Sequence, residues 1–106
     1  MVISFSVPEA RNQLLNRGFV YTFRWHERKK RLEETWANTG RGTKKISDVL
    51  VEHIKTIIPH PINLNPYTEH SGFESKEAWS EKIMNMKPRN SPKYGYLYRV
   101  IVYPKR

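Results

Sequence analysis

One hundred and six residues, 38% of them hydrophobic and 12% aromatic, suffice for one folded domain over residues 1–106 and are too few for two. The chain has no cysteine, which excludes disulfides, thiolate metal sites, iron–sulfur clusters and a cysteine nucleophile, and it has no apolar run long enough to span a membrane. Lys and Arg outnumber Asp and Glu by 19 to 10, for a formal charge of +9, so a polyanionic partner is the first functional class to weigh.

Val2 to Ser6 is β-rich and reads as a first strand. Pro8 suits the first turn of a helix, Ala10, Leu14 and Leu15 give it an apolar stripe, and Gly18 closes it. Phe19 to Trp25 alternates in the strand period. Phe19, Tyr21, Phe23 and Trp25 share one face, and Val20, Thr22 and Arg24 share the other. His26 to Arg31 is a charged run, Glu33 to Ala37 a short strand, and Asn38 to Thr43 a turn with two glycines. Lys45 to Ile58 carries both helical and strand signals. The absence of a strong N-cap pattern and the needs of a small barrel favour strand. Residues 59–73, with three prolines, read as a loop. Ser75 is an N-cap for a helix to about Met86, with Ala78, Trp79, Ile83 and Met86 inward. Pro88 to Lys93 is a basic loop, and Tyr94 to Tyr103 is the clearest strand of the chain. The order strand, helix, strands, helix, strand predicts an α+β fold on a mixed or antiparallel curved sheet.

The charge is unevenly spread. Residues 1–45 are net +6, residues 46–86 net −3 and residues 87–106 net +6. If the two basic ends run as neighbouring strands, one face of the molecule becomes strongly positive and attracts phosphate backbones.

Several pieces then resemble the ASCH domain family of the PUA-like group. They are Ile3-Ser4-Phe5-Ser6, Leu14-Leu15 followed by Gly18, Thr22-Phe23-Arg24, the Ser71-Gly72-Phe73 turn, and Lys93 to Ile101 as a last strand. The resemblance implies a PUA-like pseudo-β-barrel of five to six mixed strands with two or three flanking helices. It also implies a cleft near the end of the first helix and the following strand, and a link to RNA binding and nucleotide chemistry. The family motif runs glycine, lysine, threonine or glutamate, arginine. Anchored on Arg24, its polar position falls on Thr22 and its lysine position on Phe19, which cannot serve as nucleophile, base or phosphate ligand. In the branch that hydrolyses acetylcytidine, the lysine, the threonine and a later glutamate are needed. Thr22 alone is retained here, so the resemblance favours binding over catalysis.

Three constellations carry candidate contacts. Thr22 and Arg24 share a strand face, from which Arg24 offers a planar fork to a phosphate or base edge; the rival is an ion pair with Glu33 or Glu34. The run Arg28-Lys29-Lys30-Arg31 is a solvated loop by itself and a phosphate contact within a positive face. Trp36 to Lys45 combines a stacking ring (Trp36), an amide for a base edge (Asn38) and the cations Arg41, Lys44 and Lys45. Its rival is a plain hairpin with Trp36 in the core. Arg89 and Lys93 add to these from the last loop. His26, His53, His60 and His70 are too scattered for a metal site, and a single Asp, Asp48, argues against a Ser-His-Asp arrangement. The sequence therefore predicts a monomeric cytoplasmic protein that binds RNA or another single-stranded nucleic acid in a positive groove beneath Trp36, without cofactor or metal and away from membranes. The alternatives are a hydrolase of a modified nucleoside or RNA, tested by a titratable group beside Thr22, and an adaptor for an acidic protein.

Overall fold

A computed structural model describes residues 2–40 and 44–103 of the chain. The elements are β1 (Ile3–Ser4), α1 (Pro8–Arg17), β2 (Phe19–Arg24), β3 (Leu32–Asn38), β4 (Lys45–Ile57), α2 (Pro61–Leu64), a 3₁₀ helix (Asn65–His70), α3 (Lys76–Asn85) and β5 (Gly95–Val102). This is the expected α+β order. Arg41, Gly42 and Thr43, in the glycine turn, lie outside the described residues.

The strands form one five-stranded mixed sheet in the order β1-β3-β4-β5-β2. β1 runs parallel to β3, and every other neighbouring pair is antiparallel. β2 and β5, which come from the two basic stretches of the chain, are neighbours across the register Phe19↔Ile101 to Arg24↔Tyr96. The sheet curls so that its two edge strands approach each other without pairing, leaving a seam between β1 and β2 that Arg24 bridges to the Ser4 carbonyl.

Each sheet face has its own core. Ile3, Phe5, Ala10, Leu14, Val20, Ala37, Val49, Val51, Tyr98 and Val100 fill the concave side under α1. Phe23, Ile57, Leu64, Trp79, Ile83 and Leu97 join the convex side to α2 and α3, with Tyr21, Trp25, Tyr67 and Phe73 packed around them. The alternation in β2 produces this division: Val20, Thr22 and Arg24 face inward, while Tyr21, Phe23 and Trp25 pack under the helices. Tyr21, Phe23 and Trp25 of the aromatic stripe thus belong to the second core, while Phe19 packs on His70 with ring centres 4.7 Å apart.

Local chemistry sets the helix ends. Gly18 terminates α1 at φ 83°, in the left-handed region, with its N–H on the Leu14 carbonyl. The Ser75 hydroxyl accepts from the Ala78 N–H at 3.0 Å and opens α3 as expected. The ambiguous segment is the long strand β4, extended because Val49, Val51 and Ile57 are buried between neighbouring strands on either side.

Four expectations are corrected. The first strand is two residues long rather than running from Val2 to Ser6, because pairing with β3 stops at Ser4↔Asn38. Leu15 is half exposed, since α1 buries only Ala10 and Leu14 fully. Met86 is half exposed just beyond α3. Residues 59–73 are not a plain loop: Pro61 starts α2, Pro66 sits in the first turn of the 3₁₀ helix, and the Thr68 and Ser71 hydroxyls donate to the Leu64 and Thr68 carbonyls at 2.9 and 2.8 Å.

Candidate nucleic-acid interface

The seam between β1 and β2 opens into a cavity of about 240 Å³. One wall is the chain leaving β1 and entering α1, from Ser4 to Ala10. The facing wall is β2 and its extension from Tyr21 to His26, and α3 covers the opening with Trp79, Lys82 and Ile83. Trp25 pins the corner, its Nε1–H donating to the Ile83 carbonyl at 3.0 Å. The lining is mostly aromatic and aliphatic, with Thr22 and Arg24 as polar groups on the β2 wall.

Arg24 is the unusual residue of this cavity. Its Nη1 donates to the Ser4 carbonyl at 2.8 Å, and its guanidinium lies over the Phe5 ring at 5.0 Å. Its Nε is closed to solvent and has no hydrogen-bond partner. The expected rival, an ion pair with Glu33 or Glu34, is absent among the described residues; Glu33 is taken by Arg28, whose Nη2 lies 2.7 Å from Oε1. Burial, reinforced by the neighbouring Arg28 charge, lowers the Arg24 pKa to about 10. Arg24 therefore remains a cation at neutral pH, in an apolar setting and without a carboxylate counter-charge. Thr22 is buried beside it on the same strand face, and its hydroxyl makes no hydrogen bond among the described residues.

The loops at the mouth explain why the local charge is high. β2 ends where β5 begins, at Arg24↔Tyr96, so the segments 25–31 and 86–94 both meet that end of the β2–β5 pair. Lys87 holds them together, with its Nζ 5.7 Å from the Trp25 ring centre. Lys29, Lys30, Arg31, Arg89 and Lys93 are exposed on these two segments, and none is paired with a carboxylate among the described residues. Pro88, Met86, Lys82 and His26 form the rim. Each of the two loops thus gives residues to the cavity lining, Trp25 and His26 from one and Met86 and Pro88 from the other.

The other candidates divide. Arg28 is committed to structure: its backbone N–H donates to the Tyr98 hydroxyl at 2.8 Å and its side chain holds Glu33. Asn38 is buried, and its Oδ1 accepts from Ser4 Oγ at 2.7 Å and from the Gly40 N–H at 3.2 Å. Trp36 is 38% exposed on the convex face, because its neighbours Thr35 and Ala37 turn inward. It is neither core nor among the cavity's lining residues, so the groove beneath Trp36 is replaced by a cavity at the seam between β1 and β2. Lys44 and Lys45 lie at the opposite end of β4, with Lys45 on Asp48 at 3.2 Å, and Arg41 is outside the described residues. What sequence reading missed was Lys82, His26 and the Ser4 carbonyl as parts of the site. Lys82 lies outside the inward stripe of Ala78, Trp79, Ile83 and Met86 read for its helix, and a backbone carbonyl has no sequence signal at all.

Hydrolysis at Thr22 would need an acid–base group against it. Among the described residues no carboxylate lines the cavity, and its imidazole, His26, is on the exposed rim. No group of three or more potential metal ligands occurs among the described residues, and no helix there is long and apolar enough to cross a membrane. Comparison with protein-family models, with curated proteins and with solved structures finds no match to this chain.

Proposed function

We propose that the protein binds single-stranded nucleic acid, RNA in the first instance, by running the backbone over the two basic loops and admitting one unpaired base to the seam cavity. The observation that carries this reading is Arg24, held without a carboxylate on the β2 wall of a cavity to which both basic loops contribute lining residues, Trp25 and His26 from one and Met86 and Pro88 from the other. Exposed Lys and Arg neutralise phosphates and release counterions without reading sequence. An apolar slot beside them suits an unstacked base, because every base has an apolar face and a polar edge. A cavity of 240 Å³ is smaller than the roughly 300–1,000 Å³ of drug-sized sites, so it has room for one ring system.

The curled mixed sheet, and a cavity beside α1 and the strand that follows it, support the PUA-like, ASCH-type reading of the fold. Phe19 at the lysine position and a cavity without carboxylates favour a binding module over a hydrolase. The test is fluorescence anisotropy with a labelled oligouridylate at two salt concentrations. Affinity that falls steeply with salt supports the reading; affinity indifferent to salt, or none at low salt, refutes it.

A further inference from the structure

The Arg24 fork has a defined free edge. A guanidinium can address a planar ligand through its two Nη groups or through Nε together with Nη2. In Arg24 the Ser4 carbonyl takes Nη1 at 2.8 Å, while Nε has no hydrogen-bond partner and Nη2 makes no protein hydrogen bond among the described residues. The pair left over consists of two parallel donors without a protein acceptor, of which Nε is closed to solvent. A buried donor without an acceptor is costly, and folded proteins retain few of them.

We propose that the cavity is a guanine subsite, in which the Nε–Nη2 edge of Arg24 donates to O6 and N7 of an unpaired guanine. This rests on the nucleic-acid reading above and gives it a base. The fork supplies donors only, so it needs two acceptors side by side on one base edge. Guanine has them at O6 and N7, and Arg to this edge is the commonest specific base contact. Adenine places a donor next to N7, and uracil separates its two carbonyls by a ring N–H. Cytosine also has adjacent acceptors, O2 and N3, but O2 lies next to the glycosidic bond. Presenting that edge to Arg24 would drag the ribose into the apolar seam, away from the basic loops. Guanine presents O6 and N7 with its sugar further off, so the ribose stays toward Lys82 and the loop cations. Phe5 beneath the guanidinium keeps the fork planar to its target. Because Nε is closed to solvent, the guanidinium must rotate slightly about its Ser4 anchor to engage.

The experiment uses the full chain and a set of labelled uridine octamers with one central guanosine, inosine, 7-deazaguanosine, adenosine or cytidine. Guanosine and inosine keep both acceptors, and each should bind roughly ten-fold or more tightly than adenosine. 7-Deazaguanosine loses N7 alone and should fall most of the way to the adenosine value. Arg24→Lys, which offers a point charge in place of a fork, should abolish the guanosine preference, so that the guanosine and adenosine octamers bind alike. Equal affinity for guanosine, 7-deazaguanosine and adenosine overturns the guanine subsite and leaves the nucleic-acid reading standing. Preference for cytidine overturns it in favour of the O2–N3 edge. No binding of any octamer at low salt overturns both.

Discussion

Arg24 on β2 donates to the carbonyl of Ser4 on β1 at 2.8 Å, across the seam where the curled sheet leaves its two edge strands unpaired. That bond has two possible meanings. Arg24 could be a staple that closes the sheet, or a cation held in place for a ligand. A staple would be expected to satisfy its donors, yet Nε has no partner and no carboxylate faces the charge. Arg24→Met separates the two meanings. It removes a charge whose burial lacks a partner, which favours the folded state, and it leaves the Ser4 carbonyl short of one bond worth about 1 kcal/mol. The expected net effect is a gain of about 1 kcal/mol, or a rise in Tm of roughly 4–8 °C, with the preference for guanosine lost. Thermal unfolding followed by circular dichroism measures it; a fall in Tm of the same size would make Arg24 a staple.

Periodicity made much of the fold legible, and only part of the site. The alternation of β2 put Thr22 and Arg24 opposite the aromatics, and Pro8, Gly18 and Ser75 marked helix ends, because each signal is local and acts through the backbone within a turn or two. Residues 59–73 misled because their order depends on hydroxyl-to-carbonyl bonds such as Thr68 to Leu64, which composition does not reveal. Trp36 misled for a different reason. Its strand was legible, but which face of that strand is covered depends on how β3 sits in the sheet, a long-range property. Asn38 looked like a base reader and instead ties the turn to Ser4, a partner 34 residues away.

Gly72 tests whether the segment before α3 is locked against α1. Its φ is +89°, and a β-carbon there would overlap the Glu9 carbonyl and press on Gln13. Gly18 has a similar φ of +83° with open space around it. Gly18→Ala should therefore cost only the left-handed penalty of about 1–2 kcal/mol, whereas Gly72→Ala should cost that plus a backbone collision, more than about 3 kcal/mol in all. Urea midpoints of the two variants supply the comparison; equal losses would mean that α1 and the Gly72 turn can separate freely.

The pair Arg28–Glu33 gives the fold a pH dependence of known sign. Burial raises the Glu33 carboxyl, but the hydrogen bond and charge of Arg28, together with the charge of the amino terminus, hold the carboxyl below its ordinary value. A depressed folded pKa contributes stability above the ordinary glutamate range, and that contribution is lost as the pH falls through the lowered value. Glu33→Gln should thus be less stable than the parent at pH 7, by about 1 kcal/mol, and the gap should close in acid. Urea unfolding of both proteins at pH 7 and at pH 3 checks this, and a gap that widens in acid has the wrong sign.

The basic loops should govern salt dependence, because they carry exposed cations without a carboxylate partner among the described residues and give residues to the cavity lining. Each phosphate contact on a single strand contributes roughly −0.7 to the slope of log affinity against log salt. Lys29→Ala with Lys30→Ala should flatten the slope by about 1.4, and Arg89→Ala with Lys93→Ala by a similar amount, provided all four touch phosphate. Lys44→Ala with Lys45→Ala removes the same charge from the far end of β4, where Lys45 already holds Asp48. The net charge of the molecule changes equally in all three variants. A response set by overall charge would therefore move all three slopes alike, whereas a response set by the cavity mouth would move the first two and leave the third near the parent value. Anisotropy titrations across a series of salt concentrations read the slopes directly. If the Lys44/Lys45 variant loses the most, the strand runs along the opposite end of the sheet, and the cavity with Arg24 is not where it docks.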